Sequence, residues 1–385
     1  MNESDRLIVP QGSFELDRHP PADGAPLRAW DAADEYLLQN VAEHAATEGL
    51  RVLVVNDAFG ALAVAASGDA ESVTSWGDSF LAHTALAANL DRNDIDPSLV
   101  TVLPSVEQPP EPDLILLKVT KSMALLKDQL CTLAPLMNNG AVLIGAGMTR
   151  NIHNSTSEIF EEVVGPTKTS RAQKKARLIF AERDAELDPV TSPWPATHDV
   201  ELPTGAALTV ANHASVFARD RLDAGTRLLL DNLPTGFDGA NIVDLGCGSG
   251  ILGIAAGLAN PGAHVSFVDE SYMAAASAEI TAEAALAPGS WNSIVGDGLG
   301  AAIAAGNIAD VDLIVNNPPF HQDHAVGDAV AWQMFNESHA ALRPGGELWV
   351  VGNRHLGYHA KLNRIFGNNE TVASNKKFVV LRSTR

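Results

Sequence analysis

The stretch NIVDLGCGSGILGIAAGLA, residues 241–259, decides the fold. Its first five residues, NIVDL, are mostly apolar, which predicts a buried strand. Gly246, Gly248 and Gly250 follow at once, and glycine permits a tight turn and a close backbone approach to a ligand. The final segment, ILGIAAGLA, predicts a helix that begins directly after the turn. The sequence therefore predicts an α/β sheet whose first strand ends in a glycine turn.

Strand-like and helix-like segments alternate through the rest of this half of the chain. Strands are predicted for HVSFVD, VDLIV, ELWVVG and KKFVVLRS, and helices for SYMAAASAEITAEAAL and AVAWQMFNESHAAL. This alternation predicts a mostly parallel sheet that is covered by helices on both faces.

The first half of the chain repeats the plan. Five of its segments match the second half in the same order: RVLVVNDAFG with NIVDLGCGSG, SVTSWGDS with HVSFVDES, PDLILLKVTK with VDLIVNNPPF, LAPLMNNGAVLIG with LRPGGELWVVG, and KKARLIFAE with KKFVVLRS. We predict an internal duplication, with domains over residues 1–185 and 186–385 that join near the Pro- and Thr-rich segment DPVTSPWPAT. Only Gly60 remains of the glycine turn in the first copy, and LKVTK replaces NNPPF. The N-terminal domain is therefore predicted to be degenerate.

Composition narrows the class of protein. A chain of 385 residues fits two domains, and it contains no apolar run long enough for a membrane span. The polar, acidic N-terminus does not read as a signal peptide, so we expect a cytoplasmic protein. Cys131 and Cys247 form no disulfide framework or zinc pattern, and HQDH and HLGYH lack the glutamate of a metalloprotease helix, so no metal is expected. The net charge of −21, taken alone, argues against nucleic-acid binding.

Three carboxylates accompany the glycine turn. Asp269 ends the next strand about 20 residues further on, where an acidic residue can accept the hydroxyl groups of a ribose. Asp244 precedes the first glycine and could face an amine or ammonium group. Asp297, in VGDGL, could meet an adenine amino group. The GxGxG spacing and these carboxylates disfavour a hydride-transferring dinucleotide domain. A pyrophosphate prefers the N–H groups of a helix N-terminus, whereas a carboxylate near the turn suits a nucleotide that carries an amino acid.

The segment DLIVNNPPFHQ, residues 312–322, ends a buried strand with a rigid turn. Prolines cannot continue a sheet ladder, since they lack the N–H group. The Asn317 side-chain oxygen and the Pro318 carbonyl are hydrogen-bond acceptors, and Pro318 and Pro319 hold that carbonyl in place. Phe320 offers a face on which a planar substrate can stack. Holding a reactant in the right position can lower an activation barrier by roughly 7–11 kcal/mol.

Together these motifs resemble those of class I S-adenosylmethionine-dependent methyltransferases that act on planar nitrogen. We expect two tandem Rossmann-like domains, a catalytic C-terminal one that carries this resemblance and a degenerate N-terminal one that helps to bind the substrate. The resemblance implies catalysis by Asn317, Pro318, Pro319 and Phe320, with the Asn317 oxygen and the Pro318 carbonyl accepting the two N–H groups of a planar amine. The residues expected around S-adenosylmethionine are Asp244, Gly246, Cys247, Gly248, Gly250, Asp269, Asp297 and Asn317; the Cys247 side chain itself is interpreted as a small packing residue.

The segment from Asn316 to Leu381 is similar to bacterial ribosomal RNA guanine-N2 methyltransferases, family C of the small subunit and family G of the large subunit. The NPPFHQ sequence and the total chain length favour family G, so 23S RNA is the expected substrate ahead of 16S RNA. The substrate implied is free or partly assembled RNA, and we expect the protein to act as a monomer. The basic residues predicted to bind RNA phosphates are Lys174, Lys175, Arg354, Lys376 and Lys377; an ordinary solvated surface would look similar.

Two other functions fit parts of the sequence. A protein glutamine-N5 methyltransferase shares the acceptor chemistry and needs no basic face, but such enzymes typically have tyrosine after the prolines and lack the duplication. A non-catalytic RNA-binding assembly factor could keep the fold, but the intact DLGCGSG and NNPPF motifs disfavour it.

Overall fold

The computed structural model describes residues 6–21, 27–44, 47–137, 140–217, 222–319 and 324–385. Contacts divide the chain into two compact units, residues 1–194 and 195–385. Each unit is built around one seven-stranded sheet.

The N-terminal unit begins with a β-hairpin and continues as an α/β domain. Its strands are β1 (Arg6–Val9), β2 (Gly12–Glu15), β3 (Arg51–Val55), β4 (Ser72–Gly77), β5 (Val100–Pro104), β6 (Leu114–Lys118), β7 (Val142–Met148), β8 (Thr167–Thr169) and β9 (Ala176–Ala181). Its helices are α1 (Ala32–His44), α2 (Ala61–Ala66), α3 (Phe80–Arg92), α4 (Met123–Leu133) and α5 (Asn154–Val163).

The C-terminal unit has the same plan and also begins with a hairpin. Its strands are β10 (Ala196–Glu201), β11 (Ala207–Asn212), β12 (Asn241–Leu245), β13 (His264–Asp269), β14 (Trp291–Val295), β15 (Val311–Asn316), β16 (Leu342–Asn353), β17 (Glu370–Ser374) and β18 (Phe378–Thr384). Its helices are α6 (Ala224–Leu230), α7 (Ile251–Ala259), α8 (Tyr272–Ala285), α9 (Gly300–Ala304), α10 (His324–Ala341) and α11 (Tyr358–Phe366).

The strand orders of the two sheets are equivalent. The N-terminal sheet runs β5-β4-β3-β6-β7-β9-β8, and the C-terminal sheet runs β14-β13-β12-β15-β16-β18-β17. In both, the first five strands are parallel, and the sixth strand, β9 or β18, pairs antiparallel with both of its neighbours. The predicted fold is confirmed: the chain is an α/β protein with two tandem Rossmann-like sheets.

Helices cover both faces of each sheet because the central strands are apolar on both sides. Successive side chains of a strand point to opposite faces. In β3, Val52 and Val54 join one apolar cluster while Leu53 and Val55 join the other. The same strand of the C-terminal sheet departs from this pattern at Asp244, whose carboxylate is buried where an aliphatic side chain would be expected.

The two hairpins and several edge strands are absent from the sequence prediction. The turn signal PTG in β10–β11 is visible in the sequence, and Leu202 N–H bonds the carbonyl of Ala206 across it. The helix predicted from Ala329 begins earlier, at His324. Within the described ranges, every helix is too short or too polar to span a bilayer.

Candidate active site

The glycine turn joins β12 to α7 in a left-handed backbone conformation. Gly246, Gly248 and Gly250 have φ values of 69°, 54° and 78°. The N–H groups of Gly246 and Cys247 both donate to the Val268 carbonyl on the neighbouring strand, at 2.8 and 3.1 Å. The turn is therefore held against the end of β13, next to Asp269.

The three glycines meet different surroundings. A Cβ on Gly250 would lie 2.9 Å from the Cβ of Ala278, so this glycine is required where α7 packs on α8. A Cβ on Gly248 would have no heavy atom within 4 Å. The turn is thus open at Gly248, and this open cradle fits a ligand that approaches the backbone closely.

Asp269 ties the turn to the second strand. One carboxylate oxygen accepts the Gly248 N–H at 2.9 Å, and the other accepts the Ser271 N–H at 3.0 Å. These bonds place a half-buried carboxylate beside the open part of the turn. That position suits the predicted contact with ribose hydroxyl groups, which stays a prediction.

Asp244 lies beneath the first turn of α7. Its Oδ2 accepts the Gly253 N–H at 2.7 Å, and its Oδ1 is buried without a partner among the described residues. Burial raises the pKa of Asp244 to about 8, and the nearby charge of Asp269 adds to the rise. A buried acceptor without a donor is costly, so it fits a site that a cationic or N–H-bearing ligand completes.

The loop that carries Asp297 is held from α10. The Gly296 N–H donates to the Asp269 carbonyl at 2.9 Å, which brings Asp269 and Asp297 into one region. Gln333 donates to Asp297 at 3.0 Å and to Glu337 at 3.1 Å. Sequence reasoning missed Gln333 and Glu337, because nothing in the motif marks residues of a helix nearly 40 positions later.

Glu337 supports the same loop through its backbone. Its Oε2 accepts the Leu299 N–H at 2.6 Å. A Cβ on Gly298 would lie only 2.2 Å from that oxygen, so the glycine of GDG leaves room for the carboxylate. The loop conformation thus depends on α10, the helix that follows the NNPPF turn.

The NNPPF turn lies at the end of β15, next to the strand that leads into the glycine turn. Asn316 is fully buried, and its Nδ2 donates to the Leu245 carbonyl at 2.6 Å. Asn317 is half-buried; its Nδ2 donates to Thr226 Oγ1 at 2.9 Å, and its Oδ1 is buried without a partner in the described part of the chain. Pro318 is buried and Pro319 is exposed. Phe320, and the neighbouring His321 and Gln322 that could line the substrate pocket, lie outside the described residues.

Cys247 contributes its backbone to the turn and its side chain to the core. The thiol is buried among the apolar residues under α7, and burial raises the pKa of Cys247 well above its ordinary value. It is therefore neutral and poorly nucleophilic. Among the described residues there is no group of three or more His, Cys, Asp or Glu side chains placed to share a metal ion.

The equivalent edge of the N-terminal sheet has different chemistry. Asn56 takes the place of Gly246 with φ 62°, and its Nδ2 donates to the Lys118 carbonyl and to Gln129. Asp57 turns inward, where its carboxylate accepts the Gly60, Leu62 and Ala63 N–H groups at the start of α2. The backbone conformation of the turn is kept, but side chains of the same unit form its hydrogen bonds.

The predicted basic residues cluster at two equivalent turns. Lys174 and Lys175, with φ values of 46° and 65°, form the exposed turn between β8 and β9. Lys376 and Lys377 form the exposed turn between β17 and β18, where the Arg354 N–H donates to the Lys377 carbonyl at 2.9 Å. Since Phe378 pairs with Asn353 at the end of β16, the second turn lies at the same sheet edge as the NNPPF turn. Lys174 already pairs with Glu35 at 2.8 Å.

The sheet order, the glycine turn and the NNPP strand end together define a class I S-adenosylmethionine-dependent methyltransferase. The family model described as RLMG N-terminal domain matches residues 4–185, and that described as Methyltransferase small domain matches residues 207–382. The chain is 50% identical over 387 residues to ribosomal RNA large subunit methyltransferase G of Streptomyces griseus, covering 99% of both chains. It is 47% identical over 378 residues to the protein of the same name from Pseudomonas aeruginosa PAO1, covering 98% of this chain and 99% of the relative. The chain belongs to the ribosomal RNA large subunit methyltransferase G family.

The fold has a solved counterpart. The structure of T. thermophilus 16S rRNA N2 methyltransferase RsmC in complex with AdoMet and guanosine matches with a TM-score of 0.78 at 24% identity. The match covers 99% of this chain and 97% of that one, so the whole tandem fold is shared.

Proposed function

We propose that this chain transfers a methyl group from S-adenosylmethionine to the exocyclic N2 of a guanine in 23S ribosomal RNA. The observation that carries the proposal is the Asn317 amide, whose nitrogen is held by Thr226 while its buried oxygen has no donor among the described residues. An exocyclic amine supplies such a donor. The large-subunit name of the relatives favours 23S RNA, and the structural counterpart is named as an N2 methyltransferase that was solved with guanosine.

The chemistry follows from the state of the guanine amine. Its lone pair is delocalised into the ring, so the amine is a poor nucleophile. Asn317 Oδ1 and the Pro318 carbonyl accept its two N–H groups, which favours a pyramidal nitrogen whose lone pair points away from the ring plane. S-Adenosylmethionine supplies, when bound, a methyl group on a positively charged sulfur that leaves as a neutral thioether. A carbon–nitrogen bond forms, the carbon–sulfur bond breaks, its electron pair stays on sulfur, and N2 then releases a proton to water.

The cofactor contacts are assigned to the open side of the glycine turn. Gly248 leaves the space that the ligand fills, Asp269 accepts ribose hydroxyl groups, and Asp297 accepts the adenine amino group. Asp244 stabilises the start of α7 from beneath the turn, and its second carboxyl oxygen is left for a polar group of the ligand. Asn317 lies at the neighbouring strand end, so its oxygen faces the region where methyl group and amine must meet.

RNA docking is assigned to basic residues on an otherwise acidic chain. Lys376, Lys377 and Arg354 lie at the edge of the sheet that carries the NNPPF turn, where they would bind phosphates that flank the target guanine. The N-terminal unit presents Lys174 and Lys175 at its equivalent turn and is proposed to bind RNA rather than cofactor. We further propose that the protein acts in the cytoplasm, as a monomer, on free or partly assembled RNA in which the guanine can be flipped out.

The test is methyl transfer from radiolabelled S-adenosylmethionine to protein-free 23S and 16S RNA, offered separately. Wild type, Asn317→Ala and a control, Asn336→Ala on the exposed face of α10, are compared. We expect label in 23S RNA, recovered as N2-methylguanosine, strongly reduced but measurable in Asn317→Ala and kept in the control. Label in 16S RNA alone would correct the subunit. No label in either RNA, with cofactor still bound by calorimetry, would overturn the proposal and turn attention to protein glutamine substrates and then to a non-catalytic assembly factor.

A further inference from the structure

Thr226 lies at the start of α6, 91 positions before Asn317 in the sequence. Asp223 precedes the helix, and its Oδ2 accepts the N–H groups of Gly225 and Thr226 at 2.8 and 3.1 Å. Gly225 is buried against the sheet; a Cβ there would lie 3.2 Å from the ring of Phe378. A capped helix end and a close packing contact therefore fix the Thr226 backbone.

The Thr226 side chain reaches the catalytic amide. Its Oγ1 accepts a hydrogen bond from Asn317 Nδ2 at 2.9 Å, across a sequence separation of 91 residues. We propose that Thr226 is a positioning residue that anchors the nitrogen end of the Asn317 amide, so that the oxygen end projects towards the amine to be methylated. This inference rests on the proposed function, because it acts through Asn317.

The anchor matters because the terminal torsion of asparagine is broad and roughly two-fold. Without a fixed nitrogen the amide can turn over, and a reversed amide would direct its N–H groups at the N–H groups of the substrate. In the productive orientation Asn317 Oδ1 accepts one N–H group of the amine and the Pro318 carbonyl accepts the other, so holding the amide nitrogen raises the fraction of complexes that can react. The contact affects the transfer step more than the binding of cofactor.

The experiment compares Thr226→Val, which keeps the shape but removes the hydroxyl, with Thr226→Ser, which keeps the hydroxyl. Thr209→Val is the matched control, because the Thr209 hydroxyl bonds Asp199 on the exposed hairpin, at 2.7 Å. Single-turnover methylation of 23S RNA, calorimetric affinity for S-adenosylmethionine and thermal unfolding are measured for each. We expect Thr226→Val to lower the single-turnover rate by about tenfold, with cofactor affinity within about twofold of wild type. Thr226→Ser should recover most of the rate, and the control should match wild type.

A second comparison tests the coupling. Thr226→Val is placed in the Asn317→Ala background, where no amide remains to be positioned, and we expect no further loss beyond about twofold. A wild-type rate in Thr226→Val, an equal loss in Thr226→Ser, or a full extra loss in the double variant would each overturn the inference. Full activity of Asn317→Ala would instead overturn the proposed function, so the two failures are distinguishable.

Discussion

Lys118 and Asn317 occupy the same position in the two sheets. Leu117 pairs with Val55 and Asn316 pairs with Leu245, and the two residues in question come immediately after. Asn317 presents an amide oxygen that has no partner among the residues described, whereas the Lys118 ammonium lies 2.6 Å from Asp34 and 2.8 Å from Asp31. The position that we propose to bind the substrate in one unit thus forms internal ion pairs in the other.

Replacing Lys118 with methionine should destabilise the N-terminal unit. The Lys118 and Asp34 side chains are only 15% and 8% exposed. Burial alone would lower the pKa of Lys118, but the charges of Asp34 and Asp31 raise it above its ordinary value, so the group is charged in the native state. Removing one member leaves a buried carboxylate without its partner, which costs about 3–5 kcal/mol. Urea unfolding followed by tryptophan fluorescence should show this loss in the transition of the N-terminal unit.

The double variant Lys118→Met/Asp34→Leu is the control for that experiment. If the loss comes from an uncompensated charge, removal of both members should restore much of the stability. An unchanged unfolding midpoint in Lys118→Met would contradict the buried ion pair.

Alanine substitutions should separate the glycines that packing requires from those that the ligand requires. Both Gly250→Ala and Gly248→Ala place a side chain at positive φ, which costs roughly 1–2 kcal/mol. Only the Cβ of Gly250→Ala also meets Ala278, at 2.9 Å, so this variant should lose the most stability. Gly248→Ala should unfold closer to wild type yet bind S-adenosylmethionine less tightly.

Gly60 supplies the matched test in the N-terminal unit. It has φ 86°, and a Cβ there would lie 2.9 Å from the Leu86 Cα. Gly60→Ala should destabilise the protein without any change in cofactor affinity. Equal stability of Gly250→Ala and Gly248→Ala would contradict this division of roles.

Short-range sequence patterns predict the fold and part of the candidate site, but they do not predict its long-range contacts. Local patterns predicted the sheet, the duplication, the glycine turn and the NNPP strand end, because each depends on neighbouring residues. The contacts that Thr226, Gln333 and Glu337 make with the site cross 91, 36 and 38 positions, and no local pattern marks them. The replacement of Asp244 by Asp57 was also missed, because Asp244 lies on the strand whereas Asp57 lies in the turn. Both carboxylates nevertheless accept an equivalent N–H group at the start of the following helix, that of Gly253 and that of Ala63.

Glu337→Ala should weaken cofactor binding from outside the cofactor motifs. The variant leaves the Leu299 N–H without its acceptor and frees Gln333, which then holds Asp297 less firmly. We expect S-adenosylmethionine affinity to fall by about tenfold, which corresponds to ~1.4 kcal/mol, with a smaller change in Glu337→Gln, which keeps an acceptor oxygen. Calorimetry measures the affinity, and Glu283→Ala on the exposed face of α8 is the control. Wild-type affinity in Glu337→Ala would show that the loop holds its shape without this carboxylate.

Asp244 should make the stability of the C-terminal unit fall as pH rises. Its pKa is raised from 3.8 to about 8 in the folded protein, because burial disfavours the charged form. Between these values the folded state binds more protons than the unfolded state, so the free energy of unfolding declines with pH by up to about 1.4 kcal/mol per pH unit and levels off above the folded pKa. Asp244→Asn removes this titration while keeping an oxygen for the Gly253 N–H. The stability of this variant relative to wild type should therefore increase from about pH 5 to about pH 9, whereas Asp238→Asn, on an exposed turn, should parallel wild type. Thermal unfolding across that range measures the difference, and parallel curves for Asp244→Asn and wild type would show that Asp244 is ionised throughout.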